Sequence, residues 1–88
     1  MAARSRFEII RDLLQFLVEN PGARMWEVNE NVLSHMRRAR QYVDFLQERG
    51  LIAIERTSAR SMSLTVTDAG KEALNLLNQV YGYSHRRW

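Results

Sequence analysis

Cysteine is absent from this 88-residue sequence, which excludes a disulfide framework and a thiolate metal site. Long hydrophobic runs are also missing, so no segment is apolar enough to span a bilayer. The first eight residues, M-A-A-R-S-R-F-E, lack the apolar core of a signal peptide. Together these absences predict a cytoplasmic protein without membrane partners.

The residue patterns of an enzyme are missing as well. We find no nucleophile beside a base, no glycine-rich phosphate loop and no metal-ligand spacing. The two histidines, His35 and His85, each stand alone, without a second ligand at a suitable spacing. The sequence therefore predicts a protein that is not an enzyme and needs no cofactor. No small-molecule ligand can be inferred from it either, since there is no room for a separate sensor domain.

The composition is that of a globular protein, with 45% hydrophobic and 26% charged residues. The length predicts a single domain over residues 1–88. The net charge is only +3, but the positive charge is concentrated in residues 34–43 and 56–67, which contain arginines and no acid. Such segregation attracts polyanions. Twelve of the thirteen basic residues are arginine, which suits DNA contact, although a GC-rich coding sequence or a thermophilic source gives the same bias.

The segment from Ser34 to Gly50 has the pattern of a helix around which the chain is organised. Ser34 is predicted as its N-cap, and Gly50 as the left-handed residue that ends it. Apolar residues recur at helical spacing and predict one buried stripe, widened by Tyr42 and Phe45. The stripe consists of Met36, Ala39, Val43 and Leu46.

Helices and strands flank this segment. Ser5 and Glu8 predict a capping box for a first helix, and the turn residues Asn20, Pro21 and Gly22 end it. Alternating apolar residues around Leu64 predict a half-buried strand. The predicted elements are helices 5–19, 24–31 and 35–49, strands 51–55 and 61–66, helix 68–82, and a tail at 84–88. Tyr42 and Phe45 are predicted to lie in the core, and Trp26 either completes the core or lies half exposed at its edge.

This order of elements predicts an α+β, mostly α fold, in which a helix-turn-helix is followed by a β-hairpin, the winged helix-turn-helix arrangement. The runs Y-V-D-F-L-Q-E-R-G-L-I (residues 42–52) and S-L-T-V-T-D-A-G-K-E-A-L (residues 63–74) resemble the signature of small archaeal winged-helix DNA-binding proteins. Those include the archaeal 10a chromatin-type proteins and related single-domain regulators. The chain is more distantly similar to multiple-antibiotic-resistance-type and phenolic-acid-regulator-type repressors.

The resemblance implies that the third helix reads DNA, that the hairpin, or wing, touches the backbone or minor groove, and that the last helix mediates dimerisation. The basic residues fit the first two roles, although most surface arginines only form a solvated face. We expect base-edge contact from Arg38 and Gln41, and phosphate contact from the other residues. The predicted DNA-binding residues are Ser34, His35, Arg37, Arg38, Arg40, Gln41, Arg56, Thr57, Ser58 and Arg60.

The last helix carries more apolar residues than one small core can bury, which predicts a two-fold dimer, with or without the first helix. The predicted interface residues are Leu74, Leu77, Val80, Tyr81 and Tyr83. The tail Arg86-Arg87-Trp88 is a frayed end, a second phosphate contact or part of the dimer, and the sequence does not distinguish these.

These observations predict a homodimeric, double-stranded DNA-binding transcriptional regulator, associated with the nucleoid. Two alternatives remain open at this stage. One is an abundant architectural protein of low sequence preference, and the other is a winged helix that serves as a protein-interaction module.

Overall fold

The computed structural model describes residues 4–58 and 61–82. Its elements, in chain order, are α1 (Arg6–Glu19), β1 (Ala23–Arg24), α2 (Met25–Asn31), α3 (Met36–Glu48), β2 (Ile52–Arg56), β3 (Met62–Val66), α4 (Asp68–Leu77) and a π-helix (Asn78–Gly82). A helix-turn-helix followed by a hairpin confirms the predicted winged-helix fold class.

Helix α1 begins at the predicted capping box. The Ser5 hydroxyl accepts the Glu8 N–H at 3.1 Å, and the Glu8 carboxylate accepts the Ser5 N–H at 2.8 Å. Two backbone donors that the helix itself leaves unpaired are thereby satisfied. The apolar stripe of α1 is buried along its length from Ile9 to Leu17 and forms the centre of the core.

Helix α3 ends in a Schellman motif at Gly50, as the glycine predicts. Gly50 has a φ of 74°, the left-handed conformation that glycine adopts without steric cost. The Leu51 N–H donates to the Leu46 carbonyl at 2.9 Å, and the Gly50 N–H donates to the Gln47 carbonyl at 3.0 Å. These two bonds satisfy the last carbonyls of α3 and direct the chain into β2.

The N-cap of α3 is His35, so the prediction that Ser34 caps this helix is wrong. The His35 backbone is extended, and its side-chain Nδ1 accepts the Arg38 N–H at 3.3 Å. The His35 N–H also donates to the Leu33 carbonyl at 2.7 Å, which tightens the link between α2 and α3. This tight turn places His35, one residue later than Ser34, at the capping position.

The sheet has three strands in the order β1-β3-β2, all antiparallel. The sequence predicted only the two hairpin strands, because the two residues of β1 are too few to show a period. Gly22, with a φ of 81°, turns the chain after Pro21 and donates its N–H to the Leu64 carbonyl at 3.0 Å. Leu64 consequently lies in the central strand, opposite both Ala23 and Ile54.

Thr67 joins the base of the wing to α3 and α4. Its hydroxyl accepts the Gly70 N–H at 3.1 Å and donates to the Gly50 carbonyl at 2.6 Å. Its backbone N–H donates to the Leu51 carbonyl at 3.1 Å. Helix α4 packs so closely here that a Cβ on Gly70 would lie 2.6 Å from Val66 Cγ1 and inside van der Waals contact of the Leu51 carbonyl oxygen.

Several residues that the periodicity predicted to be buried lie at the edge of the core instead. Met36, the first residue of α3, is 48% exposed. Phe45 is 40% exposed. The Cζ atom of Arg49 lies 4.9 Å from the centroid of its ring, which is a cation–π contact. Trp26 is also exposed, whereas Tyr42 packs partly buried against the core.

The last α-helix is shorter than the predicted range 68–82. Its α-helical part ends at Leu77, and residues 78–82 continue as a π-helix. The predicted tail at 84–88 lies outside the described residues.

Candidate nucleic-acid interface

The amino-terminal half of α3 exposes a cluster of side chains that bind phosphates and base edges. Arg37, Arg38 and Gln41 are all exposed. Among residues 4–58 and 61–82, no carboxylate lies within ion-pair distance of Arg37 or Arg38. Helical geometry places Arg37 and Gln41 one turn apart on the outer face, with Arg38 on the side toward α1. The structure thus brings three of the predicted residues together.

Arg40 lies on the other flank of α3 and has an acidic partner. Its Nε donates to the Asp44 carboxylate at 3.2 Å, in the i,i+4 arrangement that the sequence indicates. Both side chains are about half exposed, so the pair is weak and exchanges readily with solvent. Arg40 therefore carries less uncompensated charge than Arg37 and Arg38.

The charge of α3 changes sign along its length. No acid lies in its first turn, whereas Asp44 and Glu48 stand in its second half. The positive end of the helix dipole is also at the amino terminus. Electrostatics therefore attract an anion to the first two turns and repel it from the last two.

Ser34 and His35 lie immediately before α3 and are both exposed. The Nδ1 atom of His35 is used in capping, which leaves Nε2 as the ring nitrogen directed away from the helix backbone. This cap satisfies the backbone N–H of Arg38. The N–H groups of Met36 and Arg37, in the first turn of α3, have no acceptor within the helix and are not used by the cap.

The wing closes at its tip through serine and threonine. The N–H groups of Thr57 and Ser58 both donate to the Ser61 carbonyl, at 2.9 and 3.3 Å, and the Thr57 hydroxyl donates to it at 3.2 Å. Arg56, Thr57 and Ser58 are exposed. Arg60, which was predicted beside them, lies outside the described residues.

The predicted dimer residues have unequal exposure. Leu74 is only 7% exposed and packs in the core of its own chain, so it has almost no surface to offer a second one. Leu77 and Tyr81 are partly buried. Val80 at 64% and Leu76 at 62% are the exposed apolar side chains of this surface, and the predicted set omitted Leu76. Tyr83 lies outside the described residues.

A groove of about 440 Å³ lies between the amino end of α1 and the flank of α3. Arg6 and Phe7 line it from α1, and Arg38, Gln41 and Phe45 line it from α3. No ligand pocket could be inferred from the sequence, since the chain offers no room for a separate sensor domain. The groove lies between two helices of the same small fold, where Phe7 and Phe45 are exposed. Phe45 was predicted from periodicity to be buried, so its spacing carried no signal for the groove.

Two further observations limit the chemistry of the described residues. In the segments 4–58 and 61–82, no group of three or more histidine, cysteine or acidic side chains is placed to hold a metal ion. The helices of these segments lack the length and the hydropathy needed to cross a membrane.

Comparison with known proteins gives a family and a fold. A family model described as winged helix-turn-helix matches residues 3–83. No curated protein sequence matches the chain significantly.

Solved structures with the same fold include transcriptional regulators. PcaV of Streptomyces coelicolor, solved in complex with its natural ligand, is 27% identical with a TM-score of 0.70, over 82% of this chain and 57% of its own. A protein from Archaeoglobus fulgidus is 13% identical with a TM-score of 0.72, over 89% of this chain and 85% of its own.

BpsR of Bordetella bronchiseptica, whose DNA binding is regulated by 6-hydroxynicotinic acid, is 15% identical with a TM-score of 0.70, over 97% of this chain and 58% of its own. This chain therefore spans somewhat more than half the length of the two regulators. The likeness to the archaeal protein is one of fold, so membership of a small archaeal subfamily stays a prediction.

Proposed function

Because the chain belongs to the winged helix-turn-helix family, whose model matches residues 3–83, we propose that it regulates transcription by binding double-stranded DNA. The observation that carries the proposal is the pair of exposed arginines, Arg37 and Arg38, at the amino end of α3. Neither has an acidic partner among residues 4–58 and 61–82. Asp44 is the first acid after Glu30, so the field of this surface is positive where the helix begins.

In this proposal α3 enters the major groove with its amino end leading. An α-helix is about 10–12 Å across and the major groove is about 12 Å wide, so the helix fits. Arg37 and the N–H groups of Met36 and Arg37 bind a phosphate, which the helix dipole also favours. The acidic second half of α3 stays away from the backbone, which fixes the direction of insertion.

In this proposal, Arg38 and Gln41 contact the base edges. An arginine donates two hydrogen bonds to guanine O6 and N7, and a glutamine pairs with adenine N6 and N7. The two residues are three positions apart on α3 and so occupy neighbouring turns on one side of the helix. Ser34, His35 and Arg40 flank them and contribute phosphate contacts.

The wing adds a second contact with the DNA backbone. Arg56, Thr57 and Ser58 lie at its exposed end, with Arg60 following them in the sequence. Small hydroxyl residues at a hairpin tip approach phosphates closely, and arginine in the minor groove reads its width.

We also propose that the protein is a homodimer, with the α4 surface as the interface. Leu76 and Val80 expose apolar side chains next to the partly buried Leu77 and Tyr81. A two-fold axis at this surface makes the same patch pair with itself. The two copies of α3 would then lie about one turn of DNA apart, which predicts a palindromic site.

The test compares charge variants of equal net charge. Fluorescence anisotropy on a duplex of about 20 base pairs measures affinity for wild type, for Arg37→Gln with Arg38→Gln, and for the control Arg49→Gln with Lys71→Gln. Each double variant loses two positive charges, but only the first loses them from the amino end of α3. We expect the first to bind at least roughly tenfold more weakly, because hydrogen bonds to charged groups contribute about 1.5–3 kcal/mol each. Equal losses in the two variants would contradict the proposal.

A further inference from the structure

The groove between α1 and α3 continues the positive surface of α3. Arg38 and Gln41 line it from the amino half of α3, and Arg6 lines it from α1. None of the described residues that line it is acidic. Neither arginine has an ion-pair partner among residues 4–58 and 61–82. A polyanion that lies beside α3 is therefore attracted into the groove.

The walls of the groove are aromatic. The rings of Phe7, Tyr42 and Phe45 line it, and Phe7 and Phe45 are 57% and 40% exposed. Exposed rings beside arginines are typical of proteins that bind single-stranded nucleic acid, in which a base stacks on each ring and the basic side chains follow the backbone. In a duplex the faces of the bases are already stacked on one another. Rings of this kind therefore stack only with a base that is unpaired.

The size and the position of the groove fit one unpaired base at the edge of a duplex. Its volume of about 440 Å³ falls within the usual range of roughly 300–1,000 Å³ for sites that enclose a small molecule, which accommodates a single nucleotide. Arg38 and Gln41 belong both to the groove and to the proposed duplex surface. A base in the groove would therefore lie directly beside the duplex that α3 contacts.

We propose that this groove binds an unpaired DNA base next to the duplex, so that the protein prefers a junction between double-stranded and single-stranded DNA to a continuous duplex. The base stacks against Phe7 and Phe45, and the phosphate that follows it pairs with Arg6. Extracting a base from a duplex costs unpairing and unstacking energy, so a base that is already unpaired is favoured. The preference for a junction rests on the proposed function, whereas the binding of an unpaired base does not.

Three DNA substrates test the junction preference by fluorescence anisotropy. Each contains the same duplex of about 10 base pairs, one helical turn, so that few positions compete with its end. One duplex is blunt, one carries about four unpaired nucleotides, and one carries the same extension built from abasic sites. The abasic extension keeps the phosphates and removes the bases. We expect the base-bearing extension to raise affinity roughly five- to tenfold over the blunt duplex, and the abasic extension to raise it about twofold at most.

Two variants and a matched control locate the contact in the protein. Phe7→Ala should abolish the gain from the bases and leave the affinity for the blunt duplex unchanged. Arg6→Gln should reduce the gain from both extensions, because the charge that pairs with the phosphate is lost. Trp26→Ala removes a ring from α2 that is as exposed as Phe7, at 57%, and should keep the whole gain. Thermal unfolding of the three variants checks that each remains folded.

A single-stranded oligonucleotide tests the groove without a duplex. Amide NMR spectra of the full chain are recorded during titration with a thymidine oligonucleotide of about four nucleotides, and with its abasic counterpart. We expect thymidine to shift the amides around Phe7, Ile10 and Tyr42 in a saturable manner. The abasic strand should shift only the amides around Arg6 and Arg38, since it offers phosphates and no ring.

Several outcomes would overturn the inference. Equal gains from the base-bearing and abasic extensions show that no base is bound. A gain that Trp26→Ala loses and Phe7→Ala keeps places the contact on a different surface. An absence of shifts with thymidine, together with self-association that Phe7→Ala abolishes, shows that a second copy of the chain fills the groove.

The same experiments separate the inference from the proposed function. If the blunt duplex binds and neither extension adds affinity, the proposed function stands and the inference fails. If the thymidine oligonucleotide fills the groove but no duplex binds, the proposed function and the junction preference fail, and the binding of an unpaired base is supported.

Discussion

At the scale of single residues, Gly70 shows how closely α4 approaches the start of the wing. Replacing glycine by alanine inside a helix ordinarily stabilises it by about 1 kcal/mol. We expect the opposite here, because the new Cβ would clash with the Leu51 carbonyl and Val66 Cγ1. Gly70→Ala should lower the free energy of unfolding by about 1–3 kcal/mol. Urea denaturation measures this, with Glu72→Ala on the exposed side of α4 as the control. A higher urea midpoint for Gly70→Ala would refute the close approach.

The Arg40–Asp44 pair gives a second prediction at this scale, for DNA binding. Asp44→Asn removes the carboxylate that holds Arg40 at 3.2 Å and one negative charge from α3. We expect DNA affinity to rise about twofold to fivefold, since an exposed i,i+4 pair is worth only about 0.3–0.5 kcal/mol and the lost repulsion adds to it. Glu48→Gln, one turn further from the amino end, is the matched control. Anisotropy that shows a larger gain for Glu48→Gln would mean that α3 presents a different end to DNA.

At the scale of elements, Thr67 connects three of them, and its loss should cost stability. Thr67→Val keeps the shape of the side chain but removes the hydroxyl that caps α4 and binds the Gly50 carbonyl. We expect a loss of about 1–2 kcal/mol. Thr65→Val, an exposed position on β3, is the control and should change stability little. Thermal unfolding of both variants measures the difference, and equal melting temperatures would contradict this role.

Some of these elements could be predicted from the sequence, and others could not. Long periodic segments such as α1 and the glycine that ends α3 are predictable, because local hydrogen bonding and burial agree there. The strand β1 is not, since two residues carry no period and their pairing with β3 depends on a contact with Leu64 far along the chain. The exposure of Met36 and Phe45 is likewise unpredictable from spacing alone. Both have helical spacing, but which side of α3 is covered depends on how its neighbours pack.

The candidate site divides in the same way. The basic half of α3 is visible in the sequence because Arg37, Arg38 and Arg40 precede the first acid, Asp44. The groove beside it cannot be predicted from the sequence, because it is formed by α1 and α3 together in the folded chain. Arg38 and Gln41 line the groove and also belong to the proposed DNA surface, and only the structure brings Arg6 of α1 near them.

At the scale of the whole molecule, the proposed dimer predicts a concentration-dependent mass. Leu76→Glu with Val80→Glu introduces two charges into the exposed patch of α4, where like charges from two copies would repel each other. We expect wild type to sediment as a dimer and this variant as a folded monomer. Trp26→Glu, which changes an exposed apolar residue on α2, should stay dimeric. Analytical ultracentrifugation in which wild type is monomeric at high concentration would contradict the proposed interface.

The central claim is that the amino half of α3 neutralises DNA phosphates, and the salt dependence of binding tests it most directly. Anisotropy over a salt series gives the slope of log affinity against log salt, near −0.9 for each phosphate neutralised. We predict a slope of several such units for wild type. For Arg37→Gln with Arg38→Gln, we predict a slope shallower by about 0.9 to 1.8, the lower value if Arg38 reads a base. A protein without measurable binding at low salt, or a slope that the α3 variant leaves unchanged, would contradict the account.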